Sequence, residues 1–520
     1  MGHNSKAKSK QLHIRMIAIM LATVCLILPL SGCGSSRGDE DSYLDGDEPP
    51  VKENLEHTTL RFLFPGSEPT DWKKVKAEIE KRIGNLLNVS LDFNWINYSQ
   101  YLDLENVLDS SNEIYDALVV AKPEPKYPDF TVLARSGKLK DITDIFPASA
   151  PYLYSKFTGK ELTYATVDGR LYAVPSLYPL ARCSYLLVAD RLFRKYNMPD
   201  ITDYDKYELF LKTIKENEPD LIPGTIANDV NSIQLFARVS GYVILDEAKR
   251  FVYKWDDPEM KIIPWEKTPE FYDVITRIID WYKNGYLVYG PDQAKTASFI
   301  YEGMLQPPTE ETSTIAFVDG ETHEIEESAP MRSFHLYPEM KVQRENPMGT
   351  FHYNGSFVFP AASVNTERTL QFLEWVHQSR DNYYLLMYGI EGENYILTNG
   401  FPTLPKGMDI FNSTYMYWQG NWAFWNMELM PELFTSPSTG SFREFLDKYS
   451  EYPPHGAFYP DYGALQQSAD KRAALFDQFD YKLVKGEILE ASEVDAFINE
   501  LDQLGSDELA DMIYEQMMER

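Results

Sequence analysis

Tyr415 to Trp425 reads YMYWQGNWAFW, six aromatic side chains in eleven residues, with Gln419 and Asn421 set among them. Ring faces pack on C–H surface while side-chain amides fix hydrogen bonds, so this mixture suits a ligand that is apolar on its faces and hydroxylated at its edges. A neutral sugar has that character. Trp418, Gln419 and Trp422 are the residues of this run expected to touch it, although core packing would use the same rings. Elsewhere Tyr178 offers a ring with a polar tip, Arg182 a guanidinium for a carboxylate or bridged hydroxyls, or for a structural salt bridge, and Glu302 an acceptor for hydroxyl donors. Trp72 and Lys122 complete the set of candidate ligand contacts. Glu391 and Glu393, in YGIEGENY, read as part of a structural loop. No HExxH or P-loop pattern occurs, and His335 and His352 stand alone, so neither a catalytic residue nor a metal ligand is assigned.

Elements must bring these residues together. From Val167 to Tyr196 the Asp168-Gly169 turn leads to Pro175 and Pro179, which remove backbone donors and fix φ, so an ordinary central strand or helix is excluded there. A crossing between two bodies is predicted, with Tyr178 and Arg182 near the seam, then a strand at Tyr185 to Val188 and a helix from Asp190. Upstream, Leu60, Phe62 and Phe64 predict a strand ending at Pro65-Gly66. Trp72, Val75, Ile79 and Ile83 recur at helical spacing up to Gly84, where a C-cap is expected. Val89, Leu91, Phe93 and Trp95 alternate as a strand, Tyr101 to Leu108 reads as a helix, and Ala117 to Val120 as a buried strand. Alternating strands and helices predict a parallel sheet wrapped by helices. Ligands of such sheets lie beyond the carboxyl ends of strands, here the loops Pro65 to Asp71 and Ala121 to Asp129, which is what places Trp72 and Lys122 near a cleft.

Further along, helices are predicted over Asp203 to Asn217 and Thr268 to Asn284, the second with Pro269 in its first turn and Gly285 at its end. Strands are expected at Ala297 to Met304 and Phe351 to Pro360, and helices at Glu367 to Gln378 and Asp381 to Gly389. The tail from Ala491 to Arg520 reads as acidic helices capped at Gly505-Ser506.

A chain of 520 residues exceeds one hydrophobic core, and 44% apolar content argues against wholesale disorder. Lys6, Lys8, Lys10 and Arg15 precede an apolar run from Met16 to Leu30 that suits a secretory signal better than a membrane span. Leu30-Ser31-Gly32-Cys33 follows and resembles the lipobox of bacterial lipoproteins, which implies cleavage before Cys33, lipidation of its sulfur and a stable bilayer anchor. Residues 33–56 then read as a flexible acidic tether. Cys25 falls in the signal and Cys33 would carry lipid, leaving Cys183 as the one free thiol, so no internal disulfide is expected. Loss of the four cations of residues 1–32 takes the formal charge from −30 to −34, which excludes nucleic acid as a general partner; solubility of an exported protein accounts for the acidity.

The segments LSGC at 30–33, ARSGKLKDITDIF at 134–146, DGRLYAVP at 168–175, ARCSYLLVADRLFRKYNMP at 181–199, EFYDVITRIIDWYKNGYL at 270–287, YGIEGENY at 388–395 and YWQGNW at 417–422 follow one another in a meaningful order. Together they resemble the extracellular solute-binding lipoproteins (family 1) of carbohydrate ABC importers, especially the long alginate-oligosaccharide-binding type. The resemblance implies an α/β, two-lobed periplasmic-binding-protein-like fold (type II), hinge-connected, with a helix-rich C-terminal extension and a sugar cleft between lobes. Its three crossings are expected near Pro175, Tyr301 and Gly355. The first lobe would then hold 57–174 plus 302–353 and the second 175–301 plus 354–520. Some relatives carry a calcium loop after the helix matching Tyr204 to Lys215; here Glu216 to Gly224 lacks alternating oxygen ligands and contains two prolines, so no metal or other cofactor is expected.

The implied function is capture of an oligosaccharide for the transmembrane subunits of an ABC permease, by a monomer held at the extracytoplasmic face of the cell membrane. Two alternatives remain at this point: a ligand sensor docking on a membrane receptor, and a surface polysaccharide-degrading enzyme built on paired carboxylates.

Overall fold

The computed structural model describes residues 55–519 apart from 105, 107, 109–113, 122–128, 180, 227–234, 305–312, 319–324, 339–341, 345, 350–354, 399, 410–411, 417 and 431–441. The signal, Cys33, the tether up to residue 54 and Lys122 lie outside the described residues, as do the side chains of Arg182 and Glu302.

The described residues fold into two compact units, one within 55–180 and 344–459, the other within 181–343 and 460–519. In the first, β1 (Thr58–Pro65), β2 (Val89–Ile96), β3 (Ala117–Val120), β4 (Ala173–Pro175) and β5 (Ser356–Val358) form one sheet in the order β2-β1-β3-β5-β4. β1 is parallel to β2 and β3, while β5 runs antiparallel to β3 and β4. Leu60, Phe62, Leu63 and Phe64 are fully buried, the near-continuous apolar run of a strand covered on both faces. Helix α1 (Trp72–Leu87) lays Trp72, Val75, Ile79, Ile83 and Leu87 on the sheet. Its end corrects the expectation at Gly84: buried Leu87 extends the stripe, and Asn88 caps the helix at φ 48° with its N–H on the Gly84 carbonyl. The same unit contains α2 (Thr366–Gln378) and α3 (Arg380–Tyr388), close to the predicted bounds.

In the other unit, Ser298–Met304 pairs antiparallel with Arg182–Ala189, which on its far side pairs with Ile325–His335. That pairing keeps residues 302–343 with 181–301, and so corrects their assignment to the first lobe. Among the described residues the passages between units fall after 179, 343 and 459, none near Tyr301, and those from 355 to 459 join the N-terminal unit. Tyr204–Asn217 and Pro269–Lys283 start where predicted: Asp203 accepts from Lys206 N and Thr268 Oγ1 from Phe271 N, with Pro269 in the first turn. Glu218, in the segment tested for calcium ligands, is tied to Lys195 Nζ at 2.6 Å. The tail helices Gln466–Val484, Ala491–Asp502 and Ser506–Met518 pack into this unit, with Phe479 stacked on Phe497 at 4.0 Å. Two buried ion pairs fasten the first of them: Arg472 with Glu266, both fully buried, and Arg250 with Asp480. Each guanidinium donates two hydrogen bonds to its carboxylate, yet Arg250 Nε is left without a partner and burial still pushes the Asp480 carboxyl up against the pull of its arginine.

Candidate functional site

In the first unit β1, β2, β3 and β4 end on one edge of the sheet, and β5 begins there. The run 415–426 lies along that edge. Gly66, just past β1 at φ 118°, donates its N–H to Ile96 O at 2.7 Å and comes so close to Gln419 that a Cβ would lie 2.5 Å from Gln419 Cβ. At the end of β2, Trp95 Nε1 donates to Gln419 O at 3.2 Å. Gly420 adopts φ 90° against Phe64, where a Cβ would stand 2.8 Å from the Phe64 Cβ. Gly355, before β5, faces both Trp422 and Val119, with room for no side chain. Beyond β4, Leu177 O accepts from Met427 N at 2.9 Å and Tyr178 meets Trp425 edge-on at 4.9 Å. Small residues at 66, 355 and 420 are therefore what let the aromatic run lie against the strand ends.

The rings divide by exposure. Gln419 is exposed, Trp95, Tyr98 and Trp425 are half-buried, and Trp418, Trp422 and Tyr178 are buried. Trp418 donates its indole N–H to Leu386 O at 3.3 Å and meets Phe64 edge-on at 5.3 Å, so both its polar atom and its faces are engaged inside the unit. Trp422 lies roughly parallel to Tyr98, with 6.4 Å between centroids. Trp72 stacks on Phe93 at 4.4 Å in the core below the edge. Of the eight candidates, Trp418, Gln419, Trp422 and Tyr178 thus share one edge and Trp72 lies under it. Arg182 and Glu302 belong to the strand pair of the other unit, near each other in register, since Glu302 opposes Ser184. Trp95 and Tyr98 were not singled out by sequence, and Trp425 only as the last ring of the aromatic run. The only signal for Trp95 was its place as the last apolar residue of an alternating strand.

A buried polar network anchors the far end of the run. Asn426 N donates to Tyr383 Oη at 3.0 Å, its Nδ2 to His377 Nδ1 at 3.2 Å, and its Oδ1 accepts from Glu428 N at 3.0 Å. Desolvation pushes the His377 imidazole down to about 3, so it is neutral and accepts through Nδ1. Burial likewise raises the Tyr383 and Tyr415 phenols, which remain protonated hydroxyls. Nearby ionised groups are engaged: Lys156 with Glu428 at 2.9 Å, and Asp71 with Asn394 at 2.9 Å. Among the described residues no group of three or more His, Cys, Asp or Glu is placed to hold a metal ion. The edge thus offers ring faces, side-chain amides and hydroxyls, the chemistry of polyol recognition.

Fold and site together have the arrangement seen in solute-binding proteins of two α/β domains. Comparison with solved structures bears out that fold. An N-glycan transport solute-binding protein from Streptococcus pneumoniae superposes with TM-score 0.66 at 18% identity, over 89% of this chain and 98% of the other. The same protein has been solved in complex with Man5GlcNAc, TM-score 0.59. Alginate-binding protein AlgQ2, solved without calcium ion, gives 0.56 at 15% identity over 90% of this chain and 99% of its own. By sequence the chain is similar to a carbohydrate ABC transporter substrate-binding protein of Streptococcus pneumoniae serotype 4, 22% identical over 411 residues, 77% of this chain and 76% of that one. No protein-family profile matches the chain. The resemblance to solute-binding proteins of carbohydrate importers, read from the sequence, therefore holds.

Proposed function

We propose that this protein is the substrate-binding component of a carbohydrate ABC importer, capturing an oligosaccharide outside the cytoplasm and delivering it to a membrane permease. The observation that carries the reading is the band of Trp95, Tyr98, Gln419, Trp422 and Trp425 along the carboxyl edge of a mainly parallel sheet, where α/β folds bind ligands. The sequence relative is a transport protein rather than an enzyme, and a structural relative binds Man5GlcNAc. Binding then needs no chemistry, only preferential affinity for the ligand-bound state. Cys33, acylated, tethers the monomer to the outer face of the cell membrane, without nucleic acid or cofactor. Within the first unit Tyr178 and Trp418 back this edge, with Trp72 as support; Arg182, Glu302 and Lys122 are retained as further proposed ligand contacts.

The test is calorimetric titration of the full chain in detergent with a panel of neutral and uronic-acid oligosaccharides, Man5GlcNAc among them. Saturable binding without release of reducing ends supports the reading. Release of reducing ends, or no binding across the panel, overturns it.

A further inference from the structure

Asn394 sits in YGIEGENY, outside every ligand contact named above, and is almost fully buried. Its Oδ1 accepts from Ile390 N at 2.9 Å, and its Nδ2 donates to Asp71 Oδ2 at 2.9 Å and to Thr414 Oγ1 at 3.3 Å. Gly389 makes this possible: at φ 92° it comes so near that a Cβ would stand 2.6 Å from Asn394 Oδ1. Asp71 N also donates to Thr414 O at 3.1 Å. One side chain therefore ties together a tight turn, the start of α1 and the start of the aromatic run.

What makes the knot functional is where its two strings lead. The loop 66–71 leaves β1 at Gly66, beneath Gln419, and ends on Asn394 through Asp71. The segment 414–419 leaves Asn394 through Thr414 and ends at Gln419, whose carbonyl Trp95 Nε1 holds. Both stretches thus run between the same two anchors, Asn394 at one end and the Gly66, Trp95 and Gln419 contact at the other. Two short stretches tied at their ends thus join Asn394 to the exposed amide and the half-buried indole of the edge. We infer that Asn394 is a positioning residue for oligosaccharide binding, setting the register of Gln419 and Trp95 without touching the ligand. The inference rests on the function proposed above.

Asn394→Asp keeps the acceptor for Ile390 N but replaces the donor with a carboxylate facing Asp71. Asp71→Asn combined with Asn394→Asp restores a donor and acceptor pair with the roles exchanged. Affinity for the tightest-binding oligosaccharide of the panel is measured by titration at 15 °C, with calorimetric scans showing each variant folded at that temperature. Asn394→Asp is expected to weaken binding about tenfold or more, and the double variant to return to within about threefold of wild type. Thr414→Val removes one weak bond and serves where Asn394→Asp does not fold; a loss of about threefold is expected. A lowered melting temperature with unchanged affinity in the folded variants, or a double variant that regains stability but not affinity, overturns the inference while leaving the function intact. Absence of binding by the wild type overturns both.

Discussion

His377 makes the anchor of the aromatic run sensitive to acid. The imidazole is buried on α2 and takes a hydrogen bond from Asn426 Nδ2, so a proton on Nδ1 would set donor against donor beside Tyr383. Its folded-state value, about 3, lies below the 6.5 of an ordinary histidine, so between those limits the unfolded chain binds the extra proton. Stability therefore rises with pH across that window, is complete above it, and is lost on acidification. Each pH unit is worth about 1.4 kcal/mol, so at pH 5 the group costs about 2 kcal/mol relative to neutral pH, growing to about 4 kcal/mol near pH 3. Other groups titrate as well, so the assay is a difference: urea unfolding of wild type and His377→Gln, followed by tryptophan fluorescence at pH 7 and pH 5. The wild type is expected to lose about 2 kcal/mol more than the variant over that interval. Equal losses would refute the assignment of a neutral, proton-excluding histidine behind Asn426.

Arg472→Ala leaves Glu266 charged in a fully buried position and is expected to cost about 3–5 kcal/mol, read by thermal or urea unfolding, whereas Arg472→Met with Glu266→Leu recovers most of that loss. Gly66→Ala puts a Cβ against Gln419 at a backbone angle other residues rarely adopt, costing about 1–3 kcal/mol and displacing Gln419, so the melting temperature and the affinity fall together. Trp95→Ala removes a half-exposed ring and the bond to Gln419 O, weakening oligosaccharide binding about tenfold in titration while Trp95→Phe loses less.

Much of the architecture was legible because local signals and burial agreed. The stripe Trp72, Val75, Ile79 and Ile83 gave its helix, and the Thr268 cap with Pro269 gave the start of another. Gly84 misled because glycine inside a helix and glycine after one look alike until the burial of Leu87 decides. The division of the chain was harder: whether residues 302–343 go with what precedes or follows depends on Ser298–Met304 pairing with Arg182–Ala189, a contact between segments far apart in sequence. The aromatic run was visible as composition, yet composition does not say which rings turn outward. Packing against Phe64 and the Leu386 carbonyl buries Trp418, while Trp95, in a different segment, stays half-exposed beside Gln419. Asn394 was legible only as a member of the structural loop YGIEGENY, since its role comes from three segments that meet only in the fold.

The central claim is that an oligosaccharide binds on the aromatic and amide edge formed by Trp95, Gln419, Trp422 and Trp425. Its most direct measurement is a calorimetric titration of the detergent-solubilised full chain with the tightest oligosaccharide of the panel, for wild type and for Trp95→Ala with Gln419→Ala. The account predicts saturable one-to-one binding by wild type and a loss of between about tenfold and a hundredfold in the double variant, since two contacts of about 1.4 kcal/mol each are removed from neighbours that share a hydrogen bond and do not add as separate sites. Binding of undiminished strength by the folded double variant would contradict it.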